Sequence, residues 1–173
     1  CGRRWVGDEP FLLMLGDHLY ASDEERSCVR QLLDVYEKTG KSVVGLAPVS
    51  GDKVRHFGCV AGEWSDGDDV LTITEFAEKP DEEYAKQHLV VERVEPGHYL
   101  TVFGIYILSP RIFELLEENI RRDFREGGEY QLTSCLETLR KEEGFVGVMV
   151  KGRRFDVGNP EAYRQTMLTY KES

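Results

Sequence analysis

Four short stretches of the chain put groups suited to phosphate and metal chemistry at the ends of extended segments. In the first, five apolar residues, Phe11 to Leu15, run straight into Gly16-Asp17. A carboxylate that stops a buried strand lies at the strand's carboxyl edge, where open α/β sheets keep their ligands, and Gly16 beside it lets a phosphate or a metal approach the backbone. Asp156-Val157-Gly158 repeats that order at the end of a later extended run. Glu78-Lys79-Pro80 closes another run with a cation, and a Lys there can meet a phosphate as a point charge, a contact worth about 1.5 to 3 kcal/mol. Gly127-Gly128-Glu129 sets a carboxylate where a helix is expected to begin, which the helix dipole favours. Each stretch also has a plain structural use: Asp17 and Asp156 as turn residues, Lys79 as a solvated loop residue, Glu129 as an N-terminal cap. No Ser-His-Asp or Cys-His arrangement for nucleophilic catalysis is visible in the sequence.

The elements that would hold these groups follow from the apolar pattern. Phe11–Leu15 has the length and lack of alternation of a strand buried on both faces. Ser22 is the expected N-cap of a helix whose apolar side is Val29, Leu32, Leu33 and Tyr36, ending near Gly40. Residues 42–49, β-branched and apolar, predict a second buried strand, and the strand-helix-strand order implies a parallel crossover. Residues 57–64 and 70–77 form two extended runs around Ser65-Asp66-Gly67-Asp68-Asp69, a hairpin pattern. After a charged excursion with one short helix, residues 99–108 read as a buried strand broken by Gly104, and Ser109-Pro110 opens a helix. A helix introduced by Gly127-Gly128-Glu129, a strand over 145–150, an extension over 153–156 and a closing helix from Asn159-Pro160-Glu161 complete the chain. The expected fold is α/β: a partial doubly wound, Rossmann-like mixed sheet flanked by helices with a β-hairpin excursion, in one domain over 1–173.

At 173 residues the chain can bury about 70% of its unfolded surface, so a core needs no staples. The formal charge of -10 argues against broad contact with nucleic acid or an anionic membrane surface, while Lys151, Arg153 and Arg154 leave one basic cluster. Cys1, Cys28, Cys59 and Cys135 lack CxxC or metal-ligand spacing and read as reduced thiols of a cytoplasmic protein. No apolar run approaches the ~18 residues of a membrane span.

The order GDEPFLLMLGD, FGCV, ITEFAEKP, FGIYIL, GGEYQLT and RRFDVGN, from about Gly7 to about Tyr163, resembles the sugar-nucleotide pyrophosphorylases, above all UTP-glucose-1-phosphate uridylyltransferases, with thymidylyltransferases as near relatives. The resemblance implies that a sugar 1-phosphate attacks the α-phosphorus of a nucleoside triphosphate, giving UDP-glucose and pyrophosphate from UTP and glucose 1-phosphate. It implies Mg2+ held by Asp17 and Asp156, and Lys79 on the sugar phosphate with Glu78 beside it in the sugar site. It further implies that Gly58 and Gly104 let backbone approach the hexose, and that Glu129 accepts hydrogen bonds from sugar hydroxyls. Self-association is also common in such families.

Two departures stand out. His18 occupies the place where Asp or Asn commonly follows the metal aspartate, and the GxGTRxxP-type nucleotide loop does not occur in this sequence. The expectation is therefore the C-terminal two thirds of a catalytic domain, carrying the sugar-phosphate and metal half of the site and inactive by itself. The alternatives are a non-catalytic sugar-phosphate-binding or regulatory domain, or a thymidylyltransferase.

Overall fold

Neighbouring residues Val43 and Val44 are both fully buried, each in a different apolar cluster, because they point to opposite sides of one sheet. In the computed structural model, which describes residues 2–65 and 69–170, that sheet has six strands. The elements run α1 (Arg3–Val6), β1 (Phe11–Met14), β2 (His18–Ser22), α2 (Cys28–Thr39), β3 (Ser42–Ser50), a 3-10 turn (Gly51–His56), β4 (Gly58–Trp64), β5 (Val70–Glu78) and α3 (Glu82–His88). They continue with β6 (His98–Leu108), α4 (Arg111–Arg121), α5 (Leu132–Glu143), β7 (Phe145–Met149), β8 (Gly152–Asp156) and α6 (Pro160–Thr169).

The order across the sheet is β1-β6-β3-β7-β5-β4, and β2 and β8 form a separate two-stranded ribbon. β3 pairs with β7 in parallel and with β6 antiparallel, so the sheet is mixed. β1 is also antiparallel to β6, which makes β1 and β3 co-directional with β6 between them: the expected crossover steps over one strand. On one side Val43, Ile105 and Ile107 pack with Cys28, Leu32 and Val35 of α2. On the other, Val44, Tyr106 and Leu108 pack with Ile112 and Leu115 of α4 and Leu136 and Leu139 of α5. Burying a Leu or Phe side chain in such layers contributes roughly 1.5–3 kcal/mol.

The structure corrects several local expectations. β1 is not buried on both faces: Phe11 and Leu13 pack inward, while Leu12 and Met14 are 43% and 42% exposed, because β1 is the sheet's edge and bonds to β6 alone among the described residues. α2 is capped by Ser27, whose hydroxyl accepts from the Arg30 N–H, and Ser22 instead ends β2. Gly104 does not break β6; the strand runs through it with φ of 93°. The hairpin strands β4 and β5 pair as expected and extend the main sheet rather than leaving it, although Asp66, Gly67 and Asp68 lie outside the described residues. Asn159 caps α6 as its sequence implies, accepting from the Ala162 N–H. Cys28, Cys59 and Cys135 are buried free thiols, and Cys1 lies outside the described residues. Among the described residues no helix is long and apolar enough to cross a membrane.

Candidate functional site

Asp17 follows the edge strand and Asp156 ends β8, and antiparallel pairing of β2 with β8 brings them together by setting His18 opposite Asp156. The Val157 N–H donates to the Asp17 carbonyl at 2.8 Å, which ties the two turns. Gly158 then leaves the space the carboxylates share. A Cβ built there would stand 2.9 Å from Asp17 Oδ2 and 3.2 Å from Asp156 Oδ1, so an oxygen of each carboxylate converges on one point. Asp156 Oδ1 also accepts from the Gly158 N–H at 2.7 Å, which fixes its rotamer, and the Asp17 side chain is 58% exposed. Among the described residues no third acidic, His or Cys ligand joins the pair. Two carboxylates with an open face fit Mg2+, which usually takes one or two such ligands and completes its octahedron with water and substrate phosphates. Gly16 beside Asp17 has open space where a side chain would stand, as close backbone approach requires.

The side chains of the ribbon continue away from this pair. His18 and Tyr20 on β2 face Asp156 and Arg154 on β8. Tyr20 donates to the Gly104 carbonyl at 2.8 Å, and a Cβ at Gly104 would lie 2.7 Å from the Tyr20 hydroxyl and 3.0 Å from His18 Nδ1. Gly104 is thus required for seating the ribbon on the sheet. Burial lowers the His18 pKa and the Arg154 charge adds to that, against the pull of Asp17 and Asp156, so the imidazole stays neutral at neutral pH. Burial likewise raises the Tyr20 phenol to about 12.

A second group forms where β4 begins and β5 ends. Gly58 stands opposite Glu78, and its missing side chain would meet Glu78 Oε2 and Val102 Cγ2, both at 3.4 Å, and Thr133 Oγ1 at 3.7 Å. The Thr133 hydroxyl, near the start of α5, donates to Glu78 Oε2. Lys79 holds φ of 44°, a left-handed conformation uncommon for a side-chain-bearing residue, with its N–H bonded to the Phe57 carbonyl and its ammonium 3.6 Å from Glu78 Oε1. Strain of this kind is roughly 1–3 kcal/mol and tends to gather where ligands bind.

Glu129 departs from the expected helix start. α5 begins at Leu132 behind Gln131, and Glu129 sits exposed in a tight turn bridged to Glu126. Its side chain accepts only from Gln131 Nε2, at 3.4 Å, among the described residues. The sequence had no local sign of Tyr20 or Thr133 as parts of this surface. Arg154 was visible only as one member of a basic cluster.

The fold and this surface define a mixed α/β protein with a carboxylate pair at a sheet edge and a strained Lys-Glu corner at the end of β5. Residues 2–173 match the nucleotidyl transferase family, and the chain belongs to it. It is 34% identical over 170 residues to the UTP-glucose-1-phosphate uridylyltransferase of Streptococcus pneumoniae, covering 97% of this chain and 52% of that protein. It is 32% identical over 162 residues to the enzyme of the same name from Pseudomonas aeruginosa, covering 94% of this chain and 53% of that one. A UDP-glucose pyrophosphorylase crystallised with UDP-glucose superposes with a TM-score of 0.81 at 32% identity, covering 98% of this chain and 58% of its own. The chain spans about half the length of the curated relatives it matches.

Proposed function

We propose that this chain serves the formation of UDP-glucose and pyrophosphate from UTP and glucose 1-phosphate, and that it supplies the sugar-phosphate and metal half of the site. The observation that carries this is the convergence of Asp17 and Asp156 over Gly158. Asp17 and Asp156 hold Mg2+, which when bound neutralises phosphate charge and orients phosphate oxygens. Lys79 meets the sugar phosphate, and Glu78, steadied by Thr133, accepts from hexose hydroxyls beside Gly58. Glu129, on its exposed turn, accepts hydrogen bonds from sugar hydroxyls.

The nucleophile is a phosphate oxygen already ionised near neutral pH, so these residues need not remove a proton. They bind, orient and counter charge, the main routes by which phosphoryl and nucleotidyl transfer is accelerated. A half-buried His18 with a lowered pKa suits that role, since it favours no positive charge beside the carboxylates.

The sequence contains no GxGTRxxP loop, so the chain alone is expected to bind glucose 1-phosphate without turning over UTP. Calorimetric titration with glucose 1-phosphate, and pyrophosphate release with UTP, glucose 1-phosphate and Mg2+, test both halves. Absence of glucose 1-phosphate binding would overturn the assignment of the sugar half-site.

A further inference from the structure

We propose that Arg154 is an anion-binding residue that takes the phosphate of a sugar 1-phosphate at the junction between the Asp17 and Asp156 carboxylates and the Gly58 and Glu78 wall. The inference rests on the sugar-phosphate reading above and adds to it a residue and a contact.

Partly buried arginines elsewhere in the chain are matched by acids. Arg140 is paired with Glu137 at 2.7 Å, and Arg111 with Glu142 at 2.9 Å and Glu114 at 2.7 Å. Arg154 is different. Its guanidinium lies 4.4 Å over the Phe57 ring and makes one hydrogen bond, to the Val102 carbonyl at 2.6 Å, with no ion pair among the described residues. A guanidinium carries five N–H donors, and drawing such a charge out of water is unfavourable unless it is paired. The donors left over are not among the buried unpartnered atoms, so they are open to a partner that arrives from solution.

Position says which partner. Arg154 and Asp156 are two residues apart on β8 and share one face of the ribbon, so the cation lies beside the carboxylate pair. At its other end the side chain reaches Val102 and Phe57, which flank Gly58. A Cβ at Gly58 would meet both Glu78 Oε2 and Val102 Cγ2 at 3.4 Å, so Glu78 stands beside the residue whose carbonyl Arg154 reaches. A group lodged here bridges a metal-holding edge and a sugar-facing wall, and it must be anionic. The planar fork of Arg suits two phosphate oxygens.

The test is calorimetry of the 173-residue chain with glucose 1-phosphate as probe, for wild type, Arg154→Lys and Arg154→Gln, with a thermal melt of each. Expected are at least tenfold weaker binding in Arg154→Gln, a smaller loss in Arg154→Lys, and melting of Arg154→Gln at or above wild type, because a partly buried charge without an ion pair has been removed. Wild-type-like affinity in Arg154→Gln would overturn the inference while leaving the sugar-phosphate site intact. So would a drop in melting temperature shared by both variants, which would mean that Arg154 only fastens β8 to β6. If wild type takes up no glucose 1-phosphate, the proposed function falls and this inference with it.

Discussion

Val157 donates its backbone N–H to the carbonyl of Asp17 at 2.8 Å, and this one bond joins the two turns that present the acidic pair. Gly158, the next residue, is the point on which both carboxylates close. Its φ is not in the left-handed region, so alanine there strains no backbone and acts only through its added methyl group. Gly158→Ala should weaken Mn2+ binding, followed by electron paramagnetic resonance, about tenfold while shifting the melting temperature little. Asp17→Asn should weaken it at least as much. Unchanged Mn2+ affinity in both variants would remove the metal from this edge.

Lys79 offers a separable test of strain and use. At φ of 44° glycine is more comfortable than lysine, by about 1 kcal/mol or more. Lys79→Gly should therefore unfold at an equal or higher urea concentration than wild type, yet bind glucose 1-phosphate at least tenfold more weakly. A stability gain without loss of affinity would show that the lysine has no part in phosphate binding.

Gly104 behaves in the opposite way. With φ of 93° and a Cβ that would sit 2.7 Å from the Tyr20 hydroxyl, Gly104→Ala suffers both backbone and packing strain. A loss of about 2–4 kcal/mol in equilibrium unfolding is expected. Tyr20→Phe, which removes only the hydroxyl and its bond to the Gly104 carbonyl, should lose about 1 kcal/mol.

Acid sensitivity should centre in part on Glu137. Burial works to raise its pKa, and hydrogen bonds from Arg140, Lys141 and the Phe76 N–H outweigh burial and leave it lowered. A carboxyl held below its unfolded pKa of about 4.3 adds stability above that pH and loses it as pH falls through the lower folded value. Wild type should thus lose stability below about pH 4.3 more steeply than Glu137→Gln, measured by urea melts from pH 3 to 7. Parallel curves would exclude this contribution.

How much of this was legible in the sequence depends on how local the cause was. The apolar face of α2, the Asn159 cap and the pairing of β4 with β5 are written in spacings of a few residues, and they appear as read. β1 was misjudged because five apolar residues look the same in a central strand and at an edge; only pairing with β6 tells them apart. Ser22 and Ser27 are both competent caps, and the ribbon claims the first. The acidic pair was found as two separate Asp-Gly neighbourhoods, but their convergence depends on β2, a strand the sequence reading passed over, pairing with β8 near the other end of the chain. Arg154 is hidden for the same reason: that it makes no ion pair among the described residues is a fact of three-dimensional packing.

The central placement of β3 and β7 has a kinetic consequence. β3 is made early and waits for β7 to fill the position between it and β5, and β2 waits for β8. Closing such distant pairs carries a large loop entropy before any contact rewards it, so folding should be slow for a chain of this size. During synthesis Asp17 emerges long before Asp156. The acidic pair therefore forms among the last features of the fold, and a divalent ion gains its full set of protein ligands only once the chain has closed on itself.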